Sequence, residues 1–196
     1  MPPNTRQPPL VRVDTRAQWR QWLRRNHATS QGVWLIIYKK AGAHGRLSYN
    51  DAVEEALCFG WIDSKANTLD DESYKLSMSP RKPGSVWSKL NKERVVRLTQ
   101  AGRMTAAGLK TVENAKKDGS WTKLDRIDEL RIPPDLRSAL QANQVANQNF
   151  QAFSNSSKKI ILWWIESARR PETRTRRIAE TVRLAAKNIR ANHDRQ

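Results

Sequence analysis

Residues 55–91 read EALCFGWIDSKANTLDDESYKLSMSPRKPGSVWSKLN, a run that joins a helix end, two strands, a turn and a helix start. Ser48 caps a helix of about ten residues that leads into this run, and Gly60 ends the helix. Residues 61–66 and 73–78 have the pattern of two strands joined by an acidic turn. We therefore expect a helix, a strand pair and a second helix to form one α+β unit.

The sequence before this run predicts a helix and a buried strand. Asp14 or Thr15 caps a helix that reaches residue 26, and Trp19, Trp22 and Leu23 form its apolar stripe. Residues 32–40, GVWLIIYKK, are rich in β-branched and aromatic side chains, which favours a buried strand.

The sequence after this run is predicted to be helical. Ser85 or Ser88 starts a helix to residue 101, Thr105 starts another to residue 117, and further helices begin near residues 133, 154 and 171. The inward-facing residues are predicted to include Leu90, Val95, Leu98, Ile160, Ile161, Trp164, Ile165, Ile178, Val182, Ala185 and Ile189.

These elements predict an α+β fold with a small, mainly antiparallel sheet covered by helices, followed by a helical C-terminal half. We divide the chain into a flexible tail over residues 1–13, an α+β domain over residues 14–121 and a helical domain over residues 133–190.

The chain is strongly basic, with 36 Lys and Arg against 19 Asp and Glu and a net charge of +17. Such a charge favours polyanionic partners, above all nucleic acid, although it also fits a merely soluble surface. The single cysteine, Cys58, cannot form an internal disulfide and is interpreted as a buried thiol in a reducing compartment. We find neither an apolar run long enough to span a membrane nor a secretory signal, so we expect no membrane insertion and a cytoplasmic protein.

Four segments resemble the YdeI/OmpD-associated family, whose members are often labelled bacteriocin-protection proteins. They are ALCFGWIDS at residues 56–64, SPRKPGSVWSKLNKERVVRL at residues 79–98, AGRMTAAGL at residues 101–109 and IILWWIESARRPETRTRRIAETV at residues 160–182. The last segment is similar to the family's helical OmdA-type tail. One departure is Ser64, where the family commonly has glycine after the Trp-Ile-Asp motif.

The resemblance implies a role in envelope stress and in tolerance of bacteriocins or antimicrobial peptides, without an established chemistry. It also nominates Asp63, Arg81 and Trp87 as site residues, because they match the family motif. Ser85 and Asn91 join this group, since a helix N-terminus beside an arginine favours anions. The structural alternative is that Asp63 and Arg81 form an ion pair that fixes the loop.

The aromatic residues Phe59, Trp61 and Trp87 allow two interpretations. They can form a platform for a ring or base, or they can pack in the core. Their apolar neighbours favour the core.

A basic layer follows residue 81. Lysine and arginine at helical spacing can follow a phosphate backbone, although such a run is usually a solvated face. The residues predicted to contact nucleic acid are Lys82, Lys89, Lys92, Arg97, Arg103, Arg174, Arg176, Arg177, Arg183 and Lys187.

Catalytic signals are weak. His27, His44 and His193 lack the spacing of metal ligands, the chain has no Gly-rich phosphate loop, and Cys58 lies in an apolar context. We expect no cofactor and no metal, and we favour a non-enzymatic protein that binds nucleic acid, DNA rather than RNA, with little sequence specificity. The alternatives are a pocket for a small anionic ligand or substrate around Asp63 and Arg81, and a protein-interaction module.

Overall fold

The computed structural model describes residues 8–39 and 46–193. The chain divides into two compact units, one ending at Trp121 and the other beginning at Thr122. Over the described residues the first unit contains a four-stranded sheet and the second is helical. The predicted fold class is confirmed.

The sheet of the first unit is mixed but mainly antiparallel. Its strands are β1 (Leu10–Val11), β2 (Val33–Tyr38), β3 (Trp61–Thr68) and β4 (Ser73–Pro80), in the order β1-β2-β4-β3. Only the pairing of β1 with β2 is parallel among these described strands. Strand β1 lies inside the segment predicted as a flexible tail, while residues 1–7 of that tail fall outside the described part of the chain.

Four helices complete the first unit: α1 (Arg16–Asn26), α2 (Tyr49–Cys58), α3 (Lys89–Gln100) and α4 (Ala106–Lys117). Each begins after a Ser or Thr whose side chain accepts a hydrogen bond from the backbone N–H three residues ahead, which satisfies one of the free donors of the first turn. The sequence leaves Ser85 and Ser88 as alternative caps for α3, and the structure shows that Ser88 is the cap.

Helices α1 and α2 pack together through tryptophan. The indole Nε1 of Trp19 donates to the carbonyl oxygen of Ala52 at 3.0 Å, and its ring stacks on Trp22. Trp22 meets the ring of Trp61 edge-on at 5.8 Å between centroids. Phe59, Trp61 and Trp87 are all buried, which confirms that these aromatic residues belong to the core.

Two adjacent glutamates of α2 are buried, which the sequence does not indicate. Glu55 is 0 % exposed, and its carboxylate accepts from Arg16 Nε and from Arg20 Nη1, each at 2.6 Å. Arg103, just after α3, also pairs with this carboxylate. Burial alone would raise the pKa of Glu55, but hydrogen bonds from its three arginine partners hold the pKa below its usual value.

The neighbouring Glu54 extends the same cluster. It is 7 % exposed and pairs with Arg16 at 3.0 Å and with Arg97 of α3. Arg16 also reaches Asp51 at 2.6 Å, so one guanidinium joins three carboxylates of α2. We call this set (Arg16, Arg20, Asp51, Glu54, Glu55, Arg97 and Arg103) the α2 ion cluster.

Helix α4 approaches the end of α2 unusually closely. A Cβ at Gly108 would lie 2.3 Å from the carbonyl oxygen of Cys58, closer than any real contact permits. The same carbonyl accepts from the backbone N–H of Thr105 at 3.1 Å and from its Oγ1 at 2.7 Å. Glycine at position 108 is therefore what lets the first turn of α4 dock on the C-terminus of α2.

The second unit consists of α5 (Asp125–Asp128), α6 (Pro134–Gln141), α7 (Gln144–Ala152), α8 (Asn155–Glu166) and α9 (Pro171–Ala185). Its core contains Leu136, Leu140, Phe150, Ile161, Leu162, Ile165, Ile178 and Ala185. Helix α7 is not anticipated from its Asn- and Gln-rich sequence. Over the described residues no helix is long and apolar enough to cross a membrane.

Three residues predicted to face inward are exposed. Leu90 is 54 % exposed because it sits in the first turn of α3, whose buried face begins at Arg94 and Val95. Ile160 is 40 % exposed, since α8 buries Ile161, Leu162 and Ile165 instead. Ile189 is 44 % exposed because α9 has already ended at Ala185.

Replacing Glu55 by glutamine should destabilise the first unit by about 3–5 kcal/mol at neutral pH, because three arginines lose their buried counter-charge. The folded-state pKa of Glu55 is lowered, so its contribution is present above the unfolded pKa and is lost as the pH falls through the folded value. The gap between Glu55→Gln and wild type should therefore shrink in acid. Urea unfolding followed by tryptophan fluorescence at several pH values measures this. Glu113→Gln, at an exposed position of α4, is the control and should change stability by no more than about 0.5 kcal/mol.

Gly108→Ala should destabilise the protein by about 1–3 kcal/mol, although alanine is the better helix former by about 1 kcal/mol. The added Cβ would meet backbone atoms of Leu57 and Cys58, which cannot turn aside as a flexible side chain does, so α4 must move away from α2. Thermal unfolding compares it with Lys110→Ala, an exposed change in the same helix. A Gly108→Ala protein as stable as wild type would contradict the close docking of α4.

Candidate functional site

A cavity of about 300 Å³ lies where β4 ends, between the following loop and helix α4. We call it the Arg81 pocket. It is lined by Arg81, Lys82, Pro83, Gly84, Ser85, Trp87, Thr111, Asn114, Ala115, Lys117, Asp118 and Ser120. The pocket brings together three of the five predicted ligand-binding residues: Arg81, Ser85 and Trp87.

Arg81 is held in place by its backbone and by one of its nitrogens. Its backbone N–H donates to the carbonyl oxygen of Gly60 at 2.9 Å, and Nη2 donates to the carbonyl oxygen of Val86 at 2.8 Å. Its guanidinium carbon lies 3.7 Å from the centroid of the Trp87 ring, a close cation–π contact. The side chain therefore has a fixed position before any ligand arrives.

The remaining nitrogens of Arg81, Nε and Nη1, are shielded from solvent and have no hydrogen-bond partner. Burial lowers the pKa of the guanidinium to about 10, an effect that the negative charge of Asp63 opposes. Buried donors normally have partners, because an unmet one costs about 1–3 kcal/mol and more when it is charged. Arg81 is thus a cation in a fixed position, with two nitrogens that no other group in the described part of the chain hydrogen-bonds.

A second tryptophan ring packs against Trp87 at a tilt. Trp87 is 1 % exposed, and its ring centroid lies 5.0 Å from that of Trp121. Lys116 and Lys92 approach the ring of Trp121 at 5.5 and 5.9 Å. The tryptophans serve as packing surfaces for cations, which keeps positive charge close to this side of the first unit.

Asp118 is the sole acidic residue of the pocket lining, and it is already engaged. Its Oδ2 accepts from the backbone N–H of Gly84 at 3.1 Å, and its Oδ1 accepts from the N–H of Ser120 at 2.9 Å. Hydrogen bonding from Ser120 holds the pKa of Asp118 below its usual value, so the group is a carboxylate. With Arg81, Lys82 and Lys117 opposite, the lining retains a positive balance.

Asp63 and Asn91 do not line the pocket. Asp63 makes no ion pair with Arg81; it accepts a hydrogen bond from Tyr49 Oη at 2.8 Å. Burial, followed by that hydrogen bond, raises the pKa of Tyr49 to about 12. Asn91 lies in the first turn of α3, where its Oδ1 accepts from Arg94. The prediction of a direct Asp63–Arg81 pair is wrong, because β3 directs the carboxylate toward α2.

Ser85 lines the pocket, but as a loop residue. Its N–H donates to the carbonyl oxygen of Lys82 at 3.1 Å, which closes a turn. The predicted helix N-terminus is three residues further on, at Ser88. An anion in this pocket would therefore meet side chains and loop backbone instead of the α3 dipole.

Sequence reasoning missed the contribution of α4. Thr111, Asn114 and Lys117 are three residues apart, and the buried Val112 and Ala115 lie between them in the sequence. This spacing was the available signal, because it places three polar groups on one side of a helix. Which surface they face depends on the docking at Gly108, which no spacing reveals.

Five of the ten residues predicted to contact nucleic acid form ion pairs or backbone hydrogen bonds within their own unit of the protein. Arg97 and Arg103 belong to the α2 ion cluster. In the second unit, Arg174 pairs with Asp135 and Glu166, Arg177 donates to the carbonyl oxygen of Trp164, and Arg183 pairs with Glu180.

The other five differ in their surroundings. Lys82, Lys89, Arg176 and Lys187 are exposed and form no ion pair with another described residue. Lys92 is half-buried beside Trp121. The contact with nucleic acid stays a prediction.

Neither metal ligands nor a reactive thiol appear at the pocket. Over the described residues there is no group of three or more His, Cys, Asp or Glu that could hold a metal ion. Cys58 is buried, and burial raises the pKa of its thiol, so it is not a poised nucleophile. His44 falls outside the described residues.

Comparison with known proteins assigns two regions. The family model described as Domain of unknown function (DUF8412) matches residues 11–111. The family model described as Bacteriocin-protection, YdeI or OmpD-Associated matches residues 129–188. Neither a curated protein nor a solved structure matches the chain.

Proposed function

The chain belongs to the DUF8412 family and carries a domain of the bacteriocin-protection, YdeI or OmpD-associated family, and from that premise we propose that it binds a small anionic ligand in the Arg81 pocket. The second family points to a role in bacteriocin protection or at the cell envelope. The ligand pocket is our interpretation of the first unit.

The observation that carries this proposal is the unmatched guanidinium of Arg81. Two nitrogens of this half-buried guanidinium are shielded from water and have no partner, and Arg81 forms no ion pair with a described residue while Trp87 fixes its position. A charge in that state is unfavourable by itself, and a nearby bound anion compensates it. Strongly perturbed groups of this kind cluster at functional sites.

The pocket around Arg81 fits an anion in charge and size. Lys82 and Lys117 add positive charge at its edge, while Ser85, Thr111 and Asn114 offer neutral hydrogen-bonding groups. A volume of about 300 Å³ is at the lower end of ligand sites and suits a phosphate, a phosphate ester or a small carboxylate. The carboxylate of Asp118 keeps its negative charge, but three cations of the lining outnumber it and its oxygens accept from backbone N–H groups.

Nucleic-acid binding is the second candidate, and the net charge of +17 favours it. On α9, Arg176 and Arg183 are exposed and lie seven residues apart, which places them on one helical face, and the exposed Lys187 follows two residues after the helix ends. Such a face provides backbone contacts without base recognition. The pairing of Arg183 with Glu180 weakens it, and we rank this function below the pocket.

Replacing Arg81 by methionine tests the pocket. Wild type should gain thermal stability with inorganic phosphate or a phosphate monoester, by about 2.7 kcal/mol at a hundred times the dissociation constant. Arg81→Met should abolish that gain while changing the stability of the ligand-free protein by no more than about 1 kcal/mol, because the loss of the hydrogen bond to Val86 is offset by removal of a half-buried, unpaired charge. Differential scanning fluorimetry measures both quantities.

Lys110→Gln is the matched control, since it removes one exposed cation of α4 outside the pocket. It should leave the ligand response unchanged. The pocket proposal fails if Arg81→Met responds to the ligands as wild type does, or if neither phosphate, phosphate esters nor small carboxylates stabilise wild type.

The nucleic-acid candidate predicts duplex DNA binding that weakens steeply with salt. Arg176→Glu combined with Lys187→Glu should weaken binding and reduce the salt slope by about 1 for each lost phosphate contact. Fluorescence anisotropy at several salt concentrations measures this, with Lys65→Glu on strand β3 as the charge-reversal control. Equal losses in both variants would indicate diffuse attraction and no binding face.

A further inference from the structure

The second unit contains a larger cleft, of about 660 Å³, formed by α5, the segment leading to α6 and parts of α8 and α9. We call it the α5–α6 groove. Its apolar wall includes Ile127, Leu130, Ile132 and Leu162. Its volume lies in the middle of the range for sites that bury a ligand of several residues or rings.

The groove carries excess positive charge around that apolar wall. Its two acidic residues are already matched, Glu129 by Arg131 at 2.5 Å and Glu166 by Arg174 at 3.0 Å. Lys123, Arg126 and Arg137 also line it and make no ion pair with any described residue. Lys123 precedes α5, Arg126 lies in α5, and Arg137 lies in the middle of α6.

A strained residue borders the same groove. Leu130 has φ of 55°, the left-handed conformation that is normally left to glycine after a helix. The N–H of Arg131 donates to the carbonyl oxygen of Arg126 at 2.7 Å and the N–H of Leu130 donates to that of Ile127 at 3.0 Å, the hydrogen bonds of a Schellman cap. Leucine costs about 1–2 kcal/mol in this conformation. In return it gives the groove an apolar side chain that glycine lacks.

We propose that the α5–α6 groove binds an acidic peptide segment of a partner protein, which inserts one hydrophobic side chain between Leu130 and Leu162. Charge complementarity selects this occupant. Three cations without an ion pair to a described residue, at residues 123, 126 and 137, suit several carboxylates spread along a chain, whereas a single anionic head group would meet only part of them. The apolar wall supplies the anchor, as in other peptide-binding grooves. This site is independent of the Arg81 pocket.

The probe is a dye-labelled peptide of seven residues with one central leucine and acidic residues on both sides. Fluorescence anisotropy with the full-length protein should show saturable binding. Arg126→Glu with Arg137→Glu should weaken it at least tenfold. Leu130→Asn should weaken it severalfold while the protein stays folded, because asparagine tolerates the left-handed conformation.

Arg176→Glu, a charge reversal on an exposed residue of α9 outside the groove, is the matched control and should leave peptide affinity within twofold of wild type. Two changes in the probe keep the test independent of protein folding. Replacing its leucine by glycine, or its acidic residues by their amides, should each abolish saturable binding.

The proposal is overturned if the peptide does not bind, or if the glycine peptide binds as well as the leucine peptide. It is also overturned if Arg176→Glu costs as much affinity as the groove variants. Vesicles of phosphatidylglycerol that bind the protein when the peptide does not would replace the peptide with a lipid surface.

Discussion

The first unit depends on a carboxylate that is removed from water and is surrounded by arginines. Glu55 is fully buried on α2, and its partners Arg16 and Arg20 come from α1 while Arg103 follows α3. Three elements distant in sequence are thereby joined at one point. Such a cluster stabilises little relative to a well-packed apolar core, yet it specifies one arrangement, because any other packing leaves a buried charge unpaired. The relative positions of α1, α2 and α3 follow from it.

The C-terminal end of α2 also positions the Arg81 pocket. Its last residue, Cys58, offers a carbonyl oxygen to Thr105, and Gly108 lets α4 dock against the same backbone. Two residues later, the carbonyl oxygen of Gly60 accepts a hydrogen bond from the backbone N–H of Arg81. The two walls of the pocket are α4 and the loop after β4. Both are thus held in place by contacts with the same short segment, residues 58–60. Rigid support of this kind is what a site with a fixed cation requires.

Most of the fold could be predicted from the sequence, because its local signals agree with one another. The caps Thr15, Ser48 and Thr105 and the apolar run of β2 predict elements at positions where the structure has them. Helix α7 was not predicted, because its Asn and Gln residues give weak hydrophobic periodicity. In the structure, Ala146 and Phe150 attach it to the core.

The site was only partly predictable. Arg81, Ser85 and Trp87 lie close together in the chain, so their proximity follows from sequence. The contributions of Thr111 and Asn114 depend on how α4 docks. The hydrogen bond between Tyr49 and Asp63 depends on the direction of β3. Both are set by tertiary structure. The burial of Glu54 and Glu55 could not be predicted either. Both have the sequence context of surface residues, and their arginine partners are distant in the chain. Net charge is a coarse guide for the same reason, because it does not distinguish free cations from paired ones.

The position of Cys58 gives the molecule an internal reporter. It is the chain's one cysteine, it is buried at the junction of α2 and α4, and burial raises the pKa of its thiol. A thiol reagent can reach it only when that junction separates, so the labelling rate measures how often the first unit opens. Local opening in the second unit leaves the rate untouched, because no thiol lies there. The fluctuations of one unit can therefore be timed in the intact chain without introducing any probe.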